Sequence, residues 1–253
     1  MLESKICIVT GAASGIGLAV AEAFSKDGAK VIMADINEER LGNESERINA
    51  DYFKVDLSTR KGCKSLVDYT LDKYSKVDIL INVAGIQTVS PIEDFSEDKW
   101  DFMINLMLTA PFLLTKYVWS SMKKQRWGRI INLNSIHGLV ASEFKVAYVS
   151  AKHGLSGLTK TAALEGGPHG ITVNSICPAY VRTPLVDNQI DAQATSHGIS
   201  REEVIEQVML QKSAVKKLIE PETIADVAKF LCSNAGEHIT GSTLTIDGGW
   251  TAG

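Results

Sequence analysis

Short apolar runs recur at residues 5–9, 30–34, 78–83, 128–133, 171–177 and 243–246, and the stretches between them carry apolar residues at helical spacing. The runs lack the in–out alternation of a half-exposed strand, which suits strands covered on both faces. The pattern therefore predicts an α/β fold with a doubly wound, mainly parallel sheet. Residues 147–165 (AYVSAKHGLSGLTKTAALE) are expected to form one helix, and 105–122 another. At 253 residues and 45% hydrophobic content the chain can bury one substantial core, and no repeat or linker divides it, so a single domain over 1–253 is expected.

The first run leads directly into Thr10-Gly11-Ala12-Ala13-Ser14-Gly15-Ile16-Gly17, followed by an apolar-periodic helix through Phe24. Strand, glycine turn and helix in this order form a Rossmann-type signature. Glycines let the backbone turn tightly and approach a pyrophosphate, and the first N–H groups of the helix bind the anion. The next run ends in Asp35, whose carboxylate can accept hydrogen bonds from an adenosine ribose and would repel a 2′-phosphate. Ala12 and Ala13 supply no compensating charge, so the expected cofactor is NAD rather than NADP. The other reading of Asp35 is a helix N-cap ahead of Asn37.

Candidate chemistry centres on Ser135, Tyr148 and Lys152. Positions four apart share a helix face, so Tyr148 and Lys152 can reach one point. A phenol titrates near about 10, and an adjacent ammonium has the right sign to favour phenolate. By itself this spacing reads as a surface helix face.

Composition narrows the function classes. A net charge of −4 and a pI near 5.8 argue against a nucleic-acid surface. The basic run Lys123-Lys124-Gln125-Arg126 suits a helix end. Cys7, Cys63, Cys177 and Cys232 are dispersed without metal-ligand spacing, which suggests buried thiols and no metal. No apolar run approaches the roughly 20 residues of a membrane span, and the amino terminus has no room for a cleavable signal before the first strand. A cytoplasmic location is expected, with no membrane partner.

Together these motifs resemble the short-chain dehydrogenase/reductase family over essentially the whole chain. The family turn T-G-x-x-x-G-x-G matches Thr10, Gly11, Ser14, Gly15, Ile16 and Gly17. The acid near the adenine corresponds to Asp56, followed by Leu57. The N-N-A-G segment appears as Asn82, Val83, Ala84 and Gly85, with valine replacing the second asparagine. The resemblance implies a tetrad of Asn105, Ser135, Tyr148 and Lys152. In it Tyr148 is acid and base, Ser135 holds the substrate oxygen, Lys152 lowers the phenol pKa and binds the nicotinamide ribose, and Asn105 positions a water. Asn105 could equally be a polar residue at a helix terminus. Pro178, Val181 and Thr183 match the segment over the nicotinamide, with Ala179 in place of a glycine.

Segments around Gln87, Phe95, Arg129 through Ala141, Lys145 through Gly154, Arg182 through Val186 and Asp247 through Thr251 are similar to the family branch that acts on 3-hydroxybutyrate. That resemblance implies a small hydroxy acid or keto acid substrate whose carboxylate meets Gln87, His137, Lys145 and Gln189. Tyr180 stands where a tryptophan is frequent. It also implies a lid over 185–213, Trp250 closing the pocket of a neighbouring subunit, and a homotetramer. Two other readings stay open: a dehydrogenase of another small or cyclic secondary alcohol, and a dinucleotide-binding sensor without turnover.

Overall fold

The computed structural model describes residues 2–253, the side chains of residues 185, 192, 196 and 197 excepted. Seven parallel strands form one sheet in the order β3-β2-β1-β4-β5-β6-β7. They are β1 (Ile6–Thr10), β2 (Lys30–Asp35), β3 (Asp51–Lys54), β4 (Ile79–Asn82), β5 (Gly128–Leu133), β6 (Ile171–Pro178) and β7 (Thr243–Ile246). The helices are α1 (Gly15–Lys26), α2 (Glu38–Arg47), α3 (Arg60–Tyr74), α4 (Glu97–Ile104), α5 (Ala110–Gln125), α6 (Val146–Gly166), α7 (Pro184–His197), α8 (Arg201–Glu203) and α9 (Pro221–Cys232).

Strand residues divide between the two faces with the two-residue pleat. Cys7, Val9, Val31, Met33, Ile79 and Ile81 join α1 and α9 in one core. Ile6, Ile8, Ile32 and Leu80 join α3, α5 and α6 in the other. The double coverage explains why these strands appear as unbroken apolar runs.

β3 falls outside those runs. It pairs only with β2, its residues alternate between half-buried and exposed, and the charged Asp51 and Lys54 bound it. An edge strand needs only one apolar face, so run length does not reveal it.

The chain winds outward from β1 to β3 and then returns to place β4 on β1's other side. At this switch point the carboxyl ends of neighbouring strands part, leaving the crevice in which doubly wound sheets hold ligands.

The helix expected over 105–122 is longer and interrupted. α4 and α5 are joined by a π turn, Asn105–Thr109, into a continuous helical stretch, Glu97–Gln125. By length and composition that stretch could cross a membrane, which run length alone did not bring out. Here Leu113, Leu114, Val118 and Met122 are packed into the second core. Lys123 and Lys124 occupy the last turn of α5, and Arg126 caps it. The four cysteines are buried and free.

Most of the 185–213 segment is helical. α7, α8 and a π turn, Val204–Met209, enclose a small core of Val186, Ile190, Val204, Met209, Leu210 and Leu218.

Candidate active site

The crevice holds a cleft of about 270 Å³ between the glycine turn, the ends of β4, β5 and β6, and the start of α7. Ser14 caps α1 with its backbone and makes no side-chain cap bond, and no acid occupies the first turn. The leading N–H groups of α1 therefore suit an anion. Close approach needs glycine: a Cβ at residue 17 would stand 2.1 Å from the Gly11 carbonyl oxygen, and one at residue 15 would stand 3.0 Å from Thr183 Cγ2. Ile16, Pro178, Val181 and Thr183 line the same cleft. Ala179 does so without adopting positive φ, so the strain considered for a side chain there does not arise.

An adjoining space of about 200 Å³ shares Gly11, Asp35, Ala84 and Gly85 with the cleft and adds Asp56 and Leu57. Asp35 accepts from Ala13 N at 3.2 Å and Asn37 N at 3.0 Å. Asn37 itself caps α2 through Arg40 N, so Asp35 is not the cap. These features fit a dinucleotide, with the pyrophosphate at α1 and the adenosine toward Asp35 and Asp56.

Two motif residues act from behind the cleft wall. Thr10 is 1% exposed, and its hydroxyl accepts from Val83 N at 2.9 Å and Ala84 N at 3.1 Å. Asn82 is buried and donates to Asn132 Oδ1 at 2.8 Å; Asn132 in turn donates to Thr159. These bonds tie β1 to the end of β4 and β4 to β5, while Asn82 Oδ1 is buried without a partner. Val83 packs against the first core, which accounts for an apolar residue at that position.

Ser135, Tyr148 and Lys152 converge at the end of β5, and a second cavity of about 100 Å³ opens beside them. Gln87, His137, Lys145, Tyr180 and Gln189 line it, and it shares Ser135 and Tyr148 with the larger cleft. Residues from five separate segments thus meet as expected. Val186 and Ile136 complete the apolar wall and were missed. Val186 lies three residues before Gln189 on α7, so helical spacing was the available signal.

Lys152 is 4% exposed, donates to Leu133 O at 2.7 Å, and stands 5.5 Å from the centre of the Tyr148 ring. Burial draws its pKa down to about 8. Tyr148 is raised above its ordinary value by burial, and the opposing influence is the hydrogen bond from Ser135. Ser135 favours the phenolate through this bond, and the Lys152 ammonium beside the ring has the sign to do the same.

Asn105 does not line either cavity. It opens the π turn and its side chain is exposed. It is also the C-cap of α4, as the alternative reading of a polar helix-terminus residue has it. Trp250 meets the His137 of its own chain edge-on, with ring centres 6.2 Å apart.

His137 is buried, with Nε2 3.4 Å from Lys145 Nζ and Nδ1 without a partner. Burial, reinforced by the Lys145 charge, lowers its pKa from 6.5 to about 4, so it is neutral near pH 7. A neutral ring that accepts from Lys145 carries its proton on Nδ1 and presents it as a donor. Gln87 Oε1 is likewise buried and unpartnered. Buried polar atoms without partners inside a cavity are the mark of a polar ligand site.

The His137 shift has a stability consequence. Between about 4 and 6.5 the unfolded chain binds the proton and the folded chain does not, so stability is lost as pH falls through that window. Denaturant titrations are expected to show this slope in the wild type and a flatter one in His137→Gln. Equal slopes would disprove the assignment.

The family described as enoyl-(acyl carrier protein) reductase matches residues 11–251. A D-beta-hydroxybutyrate dehydrogenase of Rhizobium meliloti is 43% identical over 98% of the chain and 99% of its own length. One from Cupriavidus necator is 40% identical over the full length of both. The crystal structure of levodione reductase superposes with a TM-score of 0.92 at 28% identity, covering 100% of this chain and 99% of that one.

Proposed function

Because the chain is an oxidoreductase of the short-chain dehydrogenase/reductase family, we propose that it interconverts (R)-3-hydroxybutyrate and acetoacetate with NAD. The observation that carries this reading is the cavity of about 100 Å³ in which Gln87, His137, Lys145 and Gln189 surround a space bounded by Ser135 and Tyr148. A four-carbon acid has only a methyl to offer an apolar wall, so its orientation must come from charge-assisted hydrogen bonds to the carboxylate. Lys145 carries the charge, the His137 Nδ1–H and two amides complete the donors, and Tyr180 closes the apolar end.

The fold binds a nicotinamide dinucleotide. When bound, its nicotinamide ring accepts or returns the hydride. In this reading the glycine turn and α1 hold the pyrophosphate, and Asp35 accepts from the adenosine ribose and excludes a 2′-phosphate. Pro178, Val181 and Thr183 border the nicotinamide. Ser135 holds the substrate oxygen, and Tyr148 takes the hydroxyl proton during oxidation or donates it during reduction. The raised phenol suits donation, whereas oxidation needs the hydroxyl of Ser135 to steady the phenolate. Lys152, at about 8, is protonated near pH 7 and holds the ribose. α7 acts as a lid that brings Gln189 to the carboxylate and expels water.

A homotetramer is the working assembly of this reading; the exposed Phe112 beside a groove between α5 and α6, and the exposed Leu164, offer apolar surface for self-association. A cytoplasmic enzyme with a small-molecule partner completes the reading.

The direct test is nicotinamide reduction by purified protein with (R)- and (S)-3-hydroxybutyrate, each with NAD and NADP. Selective turnover of the (R) acid with NAD is expected. Dinucleotide binding without turnover of either acid would refute the substrate and direct the search to uncharged alcohols.

A further inference from the structure

Asn134 is 2% exposed, and both ends of its amide are engaged. Its Oδ1 accepts from Ser135 N at 2.9 Å, and its Nδ2 donates to Ser156 Oγ at 2.8 Å. The Ser156 hydroxyl donates onward to Gly138 O at 3.1 Å, with Lys152 O at 3.3 Å as a second acceptor. Gly138 N returns to Ser135 O at 2.9 Å, which closes the circuit. The fit is tight: a Cβ at residue 138 would stand 2.4 Å from Asn134 Oδ1.

One residue earlier, Leu133 O accepts from Lys152 Nζ. Residues 133–135 are thereby fastened to α6 at two points one turn apart, Lys152 and Ser156, and Tyr148 lies one turn before the first. The separation of Ser135 from Tyr148 is set by how β5 is fastened to α6, and Asn134 with Ser156 forms the side-chain part of that fastening.

We propose that the Asn134–Ser156 pair is a positioning device that holds the Ser135 hydroxyl against Tyr148 throughout proton transfer. This rests on the reading of Ser135 and Tyr148 as the reacting pair. Ser135 Oγ already accepts from His137 N at 3.1 Å, so its O–H remains free to donate to the phenol. Without Asn134 the Ser135 N–H loses its acceptor and the turn through Gly138 loses its tie to α6. The donation to Tyr148 then weakens, and burial, already the dominant influence on the phenol, acts less opposed.

The experiment is a spectroscopic titration of Tyr148 in the full chain, following phenolate absorbance with Tyr148→Phe as the blank. Asn134→Ala and Ser156→Ala are each expected to raise the Tyr148 pKa by about half a unit or more, toward the value in Ser135→Ala. Ser156→Thr, which keeps the hydroxyl, should return it to the wild-type value. Ser156 lies on a half-buried helix face, so its variants carry the test if Asn134→Ala does not fold. An unmoved titration in Asn134→Ala and Ser156→Ala, alongside a raised one in Ser135→Ala, overturns the positioning role alone. If Ser135→Ala also leaves Tyr148 unmoved, the reacting pair itself is wrong and the proposal falls with it.

Discussion

Tyr148→Phe is expected to lower kcat by roughly 10³-fold while leaving dinucleotide affinity close to wild type. The substitution removes one oxygen and keeps the ring that packs edge-on against His137, with centres 6.2 Å apart. Among the described residues, what disappears is the only hydroxyl besides that of Ser135 that borders both cavities. Ser135 can hold a substrate oxygen, but the imidazole two residues on, His137, has its Nε2 engaged by Lys145 and its pKa lowered to about 4 by burial and the Lys145 charge, which makes it a poor base for that proton. Turnover within tenfold of wild type would remove Tyr148 from the reaction. Loss of dinucleotide binding would instead mean that the ring, more than the oxygen, matters.

Lys145→Met is expected to reduce kcat/KM for 3-hydroxybutyrate by about 10²–10³-fold, the 2–5 kcal/mol that accompanies the loss of one member of a buried charge pair. Lys145 is half-buried, and desolvation already lowers its pKa, so a carboxylate partner would relieve a cost that the protein bears without it. Methionine keeps the stem that packs beside His137 and removes only the charge. The discriminating probe is ethyl acetoacetate, which keeps the ketone and masks the carboxylate. Its reduction should change little in Lys145→Met. Parallel losses for the charged and uncharged substrates would indicate that Lys145 shapes the cavity without recognising an anion.

What could be read from the chain divides along physical lines. Tyr148 and Lys152 were legible because helical spacing is local: α6 spans Val146–Gly166, and the expected helix of 147–165 lay within one residue of it at both ends. Asp35 was legible because a strand rich in buried residues must end where a charge appears. The π turn that opens at Asn105 was not, because it changes the register of the helix around it, and a rule that counts residues per turn cannot anticipate the change. The same limit applies to Thr10 and Asn82. Their place in the motif was plain, but the direction in which a hydroxyl or amide faces depends on strands that arrive from distant parts of the chain. Trp250 illustrates the point from the other end, since its meeting with His137 depends on the path of the last residues after β7.

The two bonds that Thr10 accepts from Val83 and Ala84 also bear on how the protein is made. A chain leaving the ribosome displays its glycine turn early, when β1 has β2 beside it but one edge still bare. The turn has no back wall until β4 slides in, so the signature most readily noticed in the sequence is, during synthesis, a loop without a binding site. Only after the stretch through Ala84 has emerged and docked can a nucleotide act as a folding ligand. From then on it stabilises a seam between the earliest part of the chain and one made much later.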